Sequence, residues 1–135
     1  MIVVDSSVVV SILLGEPDSA RYLERIADAA GGLLSAGSVA ELGAVTSGDD
    51  GANRALLEFL AFPFVEIEPV DAEQALIAVE AYRRFGKGRH PARLNLGDVF
   101  PYALARQRDL ALLFKGDDFS LTDVEPALST GSGSR

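Results

Sequence analysis

Five acidic residues carry the chemical signal of this sequence: Asp5, Glu41, Asp98 and the adjacent pair Asp117 and Asp118. Carboxylates gathered at one place either take up protons at raised pH or bind a cation. Two unit charges ~4 Å apart interact by about 4 kcal/mol at an effective dielectric of ~20, so a bare cluster is unstable. The chain has no cysteine and a single histidine, His90. Disulfides, thiolate sites, a cysteine nucleophile and a His-rich zinc site are therefore excluded. A metal here must be held mainly by carboxylates, which favours Mg²⁺, with Mn²⁺ as a substitute.

Each acidic residue also has an ordinary structural explanation. Asp5 ends an apolar run, and its side chain can cap the next helix. Ser38-Val39-Ala40-Glu41 has the pattern of a capping box, with Ser38 as the N-cap. Asp98 falls in a first helical turn, where the helix dipole favours an acid. Asp117 and Asp118 fit a turn, with Phe119 as an anchor packed beneath them.

The elements that must position these residues can be read from apolar periodicity. Runs at 2–4, 33–35, 64–67 and 111–114 read as strands. Helical stretches lie between them: from Pro17 to about Ala30, from Ser38 through Val45, over 52–62, from an Asp71 cap to about Phe85, and from Asn95 or Gly97 to about Arg108. Pro101 is expected in the first turn of the last of these, where its missing N–H is tolerated. The alternation predicts an α/β domain with a parallel sheet. In such a sheet, residues just after the strands and in the first turns of returning helices share the carboxyl edge, where ligands bind. Asp5, Glu41, Asp98, Asp117 and Asp118 all fall there. Asp71 qualifies by the same logic, and only a strand order with Asp5 central would set it apart.

The net charge of −8 argues against a polyanion partner, but the basic residues are unevenly placed. Arg83, Arg84, Lys87, Arg89 and Arg93 fall within one short segment, and no acid occurs over 81–97. Gly86, Gly88 and Pro91 mark it as a loop. A cationic loop beside an acidic centre suits phosphate-backbone contact, so Arg84, Lys87, Arg89 and Arg93 are the candidate nucleic-acid-contacting residues, with Tyr82 and Phe85 at its border. No apolar run is long enough to span a bilayer, and none follows a basic segment as a signal peptide would. A cytoplasmic location is the expectation. Residues 1–128 are expected to form one domain, and 129–135 (STGSGSR) a flexible tail of the kind a cloning step leaves.

The segments MIVVDSSVVVSILLGEPDSARYL, the Ser38–Glu41 turn, GKGRHPARLNLGDVF and LLFKGDDFSLTDV resemble PIN-domain ribonucleases, and most of all VapC-type toxins of bacterial toxin–antitoxin pairs. The resemblance runs through about Val124. It implies a three-layer sandwich around a parallel sheet of four to five strands, ordered 3-2-1-4, with Asp5 central. It implies a Mg²⁺-dependent endoribonuclease that cuts RNA with an activated water, leaving 5′-phosphate and 3′-hydroxyl ends. Asp5, Glu41, Asp98 and Asp118 match the catalytic acids. Asp5, Asp98 and Asp118 match the metal ligands, with Asp117 and Glu41 as further candidates, and Glu41 orienting or deprotonating the nucleophile. Ser7 matches a supporting hydroxyl. A VapB-type antitoxin that places an Arg or Lys in the acidic cleft, and a homodimer, are implied as well. Val99-Phe100-Pro101 departs from the family pattern and bears on how the Asp98 helix begins.

Two other classes place an aspartate after a first strand. A phospho-acceptor or phosphatase domain would use Lys115 after the fourth strand, but Ser6 and Ser7 stand where it wants a second acid. A binding-only domain would carry the same acids without RNA cleavage.

Overall fold

The computed structural model describes residues 1–86, 88 and 90–128. Lys87, Arg89 and the expected tail at 129–135 lie outside the described residues. Four strands, β1 (Ile2–Val4), β2 (Gly32–Ser35), β3 (Val65–Glu68) and β4 (Leu112–Leu113), alternate with six helices. The helices are α1 (Ser6–Leu13), α2 (Ser19–Asp28), α3 (Ala36–Thr46), α4 (Asp50–Leu60), α5 (Ala72–Phe85) and α6 (Leu96–Arg108). All strand pairs are parallel and the order is β3-β2-β1-β4. This is the expected α/β architecture, with β1 inside the sheet.

Alternation along the strands builds three layers. Val3, Leu33 and Leu112 point into one buried cluster with residues of α5 and α6. Ile2, Val4, Leu34 and Leu113 point into the other, with α1 to α4. A two-residue period sends neighbours to opposite faces, and helices on both faces explain why the inner strands are continuously apolar. β3 is one of the two edge strands, and its Glu66 is exposed. Charge on an edge discourages pairing with another chain.

Three local expectations are corrected. Ser38 is not a cap: β2 runs straight into α3, so Ser35 is the N-cap and accepts the Gly37 N–H at 3.1 Å. Ser38 is buried inside α3, and its hydroxyl has no hydrogen-bond partner. Second, Pro17 precedes α2, which begins at Ser19. Third, Pro101 is the sixth residue of α6, not in its first turn. The helix continues through it at the cost of the bond that the Gly97 carbonyl would otherwise accept.

Candidate functional site: an acidic centre at the carboxyl edge

β1 delivers Asp5 to the middle of the carboxyl edge, and the backbone N–H of Asp5 donates to the Leu113 carbonyl of β4 at 2.9 Å. The Asp5 side chain caps α1 by accepting the Ser7 N–H at 3.1 Å, and it also accepts the Ser7 hydroxyl. The Ser7 oxygen in turn accepts the Lys115 N–H at 3.1 Å. Ser7 thus ties Asp5 to the chain leaving β4, which gives its supporting role a physical form. Asp5 is 5% exposed. Burial pushes its carboxyl up; the Ser7 bonds oppose this and the charge of Glu41 adds to it.

Glu41 lies in the second turn of α3 and is half-buried. It accepts the Ser6 hydroxyl at 3.1 Å. The capping box expected at Ser38 and Glu41 is absent, so capping does not account for Glu41. The real capping box is at α6. Asn95 accepts the Asp98 N–H, and Asp98 accepts the Asn95 N–H, each at 3.1 Å. Burial pushes the Asp98 carboxyl up to about 6 against that Asn95 bond, and the charges of Asp5, Asp118 and Glu41 push the same way.

Asp5, Glu41 and Asp118 therefore all bear on Asp98, and Glu41 on Asp5, from two helix starts, a second helical turn and one loop. Asp118 is exposed, just past β4, with Phe119 buried beneath it. Asp117 turns elsewhere, into a 280 Å³ cavity with Arg21, Tyr22 and Lys115, and is not among the charges felt by Asp98. Of the two, Asp118 is the one whose charge is among the causes of the Asp98 shift. Asp71 is absent from that set too. It caps α5 and is held by Gln107 at 2.9 Å.

Among the described residues, no three His, Cys, Asp or Glu groups converge on a single metal position. The carboxylates sense one another without closing on one point. The donor set still fits a hard divalent cation. It consists of carboxylate oxygens, one of them on the buried Asp5, and among the described residues no basic side chain is a cause of the Asp5 or Asp98 shift.

The basic segment is only partly described. Arg84 pairs with Asp123 at 3.3 Å and lies 4.6 Å from the centroid of the Phe85 ring, so it is already engaged. Arg93 is exposed with a left-handed φ of 55°. Phe85 is buried in the core, whereas Tyr82 lies near enough to Asp98 to feel its charge. Lys115 pairs with Glu16 at 2.9 Å and Asp18 at 3.6 Å. It is thus committed away from Asp5, which removes the support for a phospho-acceptor. Sequence reasoning missed Ser6, although it stands beside Ser7. It also passed over Gly97 as an ordinary member of its motif.

The family described as PIN domain matches residues 2–125. Ribonuclease VapC42 of Mycobacterium tuberculosis is 41% identical over 128 residues, covering 93% of this chain and 98% of that one. Ribonuclease VapC of Mycolicibacterium smegmatis is 44% identical over 124 residues, covering 90% and 96%. Among solved structures, VapBC2 from Rickettsia felis bound to a promoter DNA fragment superposes with a TM-score of 0.74 at 20% identity, covering 93% of this chain and 96% of that one.

Proposed function

This chain belongs to the PIN-domain family, and from that premise we propose that it is a VapC-type toxin, a divalent-metal-dependent endoribonuclease controlled by a VapB-type antitoxin. The observation that carries the proposal is the acidic centre itself. Asp5, Glu41, Asp98 and Asp118 come from four separate parts of the chain, and the other three all raise Asp98 at one edge of the sheet. Nothing in the fold requires four carboxylates there, and mutual repulsion makes the arrangement costly. Perturbed carboxylates at a sheet's ligand-binding edge are what a catalytic site is built from.

Asp5 and Asp98 are the principal ligands for Mg²⁺, and Asp118 completes the set from its exposed loop. Mg²⁺ bound there would offset the charge of an approaching phosphodiester and lower the pKa of a water. Glu41, steadied by Ser6, orients the attacking water or takes its proton. Ser7 fixes the rotamer of Asp5. Lys87, Arg89 and Arg93 supply phosphate contacts that the acidic surface otherwise lacks. The relatives at 41% and 44% identity are ribonucleases by name, and a toxin–antitoxin complex from Klebsiella pneumoniae shares the fold at a TM-score of 0.71. An antitoxin guanidinium or ammonium would suit the same carboxylates, and a homodimer is the expected assembly.

The test is RNA cleavage by purified protein in Mg²⁺, with 5′ ends mapped. Cleavage should stop on chelation and in Asp98→Asn, and co-purified antitoxin should suppress it. Wild-type cleavage by Asp5→Asn would overturn the mechanism.

A further inference from the structure

Gly97 is the second residue of α6, and its φ is not left-handed. Its backbone therefore does not require glycine, and alanine is the better helix former at such a position. What the position lacks is room. A methyl group built on Gly97 would lie 2.9 Å from Cδ of Glu41, 3.1 Å from its Oε1, and closer still to its Oε2. All three nearest atoms belong to that one carboxylate. The Glu41 head group thus rests against the bare Cα of α6, while its Oε1 accepts the Ser6 hydroxyl.

We propose that Gly97 is a positioning residue for Glu41: the absent side chain is the space in which the carboxylate sits. This inference rests on the reading of Glu41 as part of the nuclease centre, but the contact itself does not. Because the obstructing group is the end of a flexible side chain, a methyl at residue 97 would displace Glu41 rather than disrupt the fold. Gly97 therefore uncouples stability from function. The same substitution at Gly43, a helical glycine of α3 with nothing within 4 Å of the added atom, has no such consequence.

The experiment is a double-mutant cycle. Gly97→Ala should melt no lower than wild type, yet lose RNA cleavage by about a hundredfold, the scale of a small misplacement of a catalytic group. Calorimetric titration with Mg²⁺ alone should show altered binding. Gly43→Ala should leave both unchanged. In a Glu41→Asp background, one methylene shorter, Gly97→Ala should cost less than about twofold, the ordinary scatter of additive changes. A crystal structure of Gly97→Ala should show the Glu41 carboxylate off the Ser6 hydroxyl. Equal losses in both backgrounds, or a Glu41 carboxylate that stays on Ser6, would overturn the proposal. If the wild type cleaves no RNA, the nuclease reading fails, while the crystal structure still decides the role of Gly97.

Discussion

Asp98 and Asp123 lie close to the same helix and end in opposite electrostatic states. Asp98, in the first turn of α6, is pushed up to about 6 by burial and by three other carboxylates. Asp123 lies beside the middle of α6. Burial pushes it up as well, but the Tyr102 hydroxyl at 2.6 Å and the Arg106 and Arg84 guanidiniums outweigh that and bring it below the usual carboxylate range. One aspartate is provided with cationic and hydrogen-bonding partners, and the other is surrounded by its own kind. The Asp123 cluster holds the terminal segment onto α6 and needs nothing further. The Asp98 centre has no cationic partner among the causes of its shift, and a bound cation is what the proposed function would supply there. Charges left unpaired at a sheet's ligand-binding edge mark function, and charges fully paired mark structure.

That contrast can be broken most sharply at Asp5. Asp5→Asn should cut RNA cleavage about a hundredfold or more, the scale at which a transition-state charge contact is lost. Its melting temperature should not fall, because asparagine caps a helix as well as aspartate and the buried charge is gone. Asp123→Ala should do the reverse. Losing hydrogen bonds to a charged group costs about 2 kcal/mol of stability, read by denaturant unfolding. Cleavage per folded molecule should stay near wild type. If Asp123→Ala abolishes cleavage at full folding, the division between the regions is wrong.

Acidity gives a subtler separation. Asp98 is raised when folded, so its contribution to stability is complete below the ordinary carboxylate value and is lost as pH rises through about 6. Asp123 is lowered when folded, so its contribution holds above the ordinary value and is lost only as pH falls below it. Metal-free protein should therefore melt at lower temperature at pH 7 than at pH 5. Asp98→Asn should flatten that slope, and added Mg²⁺ should stabilise more at pH 7 than at pH 5. A metal-free melting temperature that rises from pH 5 to pH 7, or one unchanged by Asp98→Asn, would count against the raised state of Asp98. The smallest effect is expected at Tyr102→Phe, which removes one hydroxyl from Asp123 and should cost about 1 kcal/mol.

How far the sequence reached differs among the acidic residues. Counting strands and helices places Asp5, Glu41, Asp98, Asp117 and Asp118 at one edge, without separating Asp117 from Asp118. For Glu41 the sequence also offers a rival explanation that the structure removes, because a capping-box pattern at Ser38 is indistinguishable in sequence from the real one at Asn95 and Asp98. β2 enters α3 without a loop, so Ser35 takes the cap and Glu41 falls a turn deeper, against α6. Nothing local announces that.

The sequence alone determined what depends on periodicity and residue type: an α/β layer order, a carboxylate donor set with no thiolate alternative, and Asp5 at the end of an apolar strand. Tertiary structure decided what depends on the rotation of one element against another. It set Asp118 near enough to Asp98 to raise its pKa and put Asp117 on the wall of a separate cavity, engaged Arg84 with Asp123, and committed Lys115 to Glu16 and Asp18. It also sharpened the role of the glycine before Asp98. A helix reveals its apolar stripe in one dimension, but the distance between two helix starts is fixed only when both faces of the sheet are packed. That packing sets the Glu41 carboxylate against Gly97, and it brings the four acids within reach of one another.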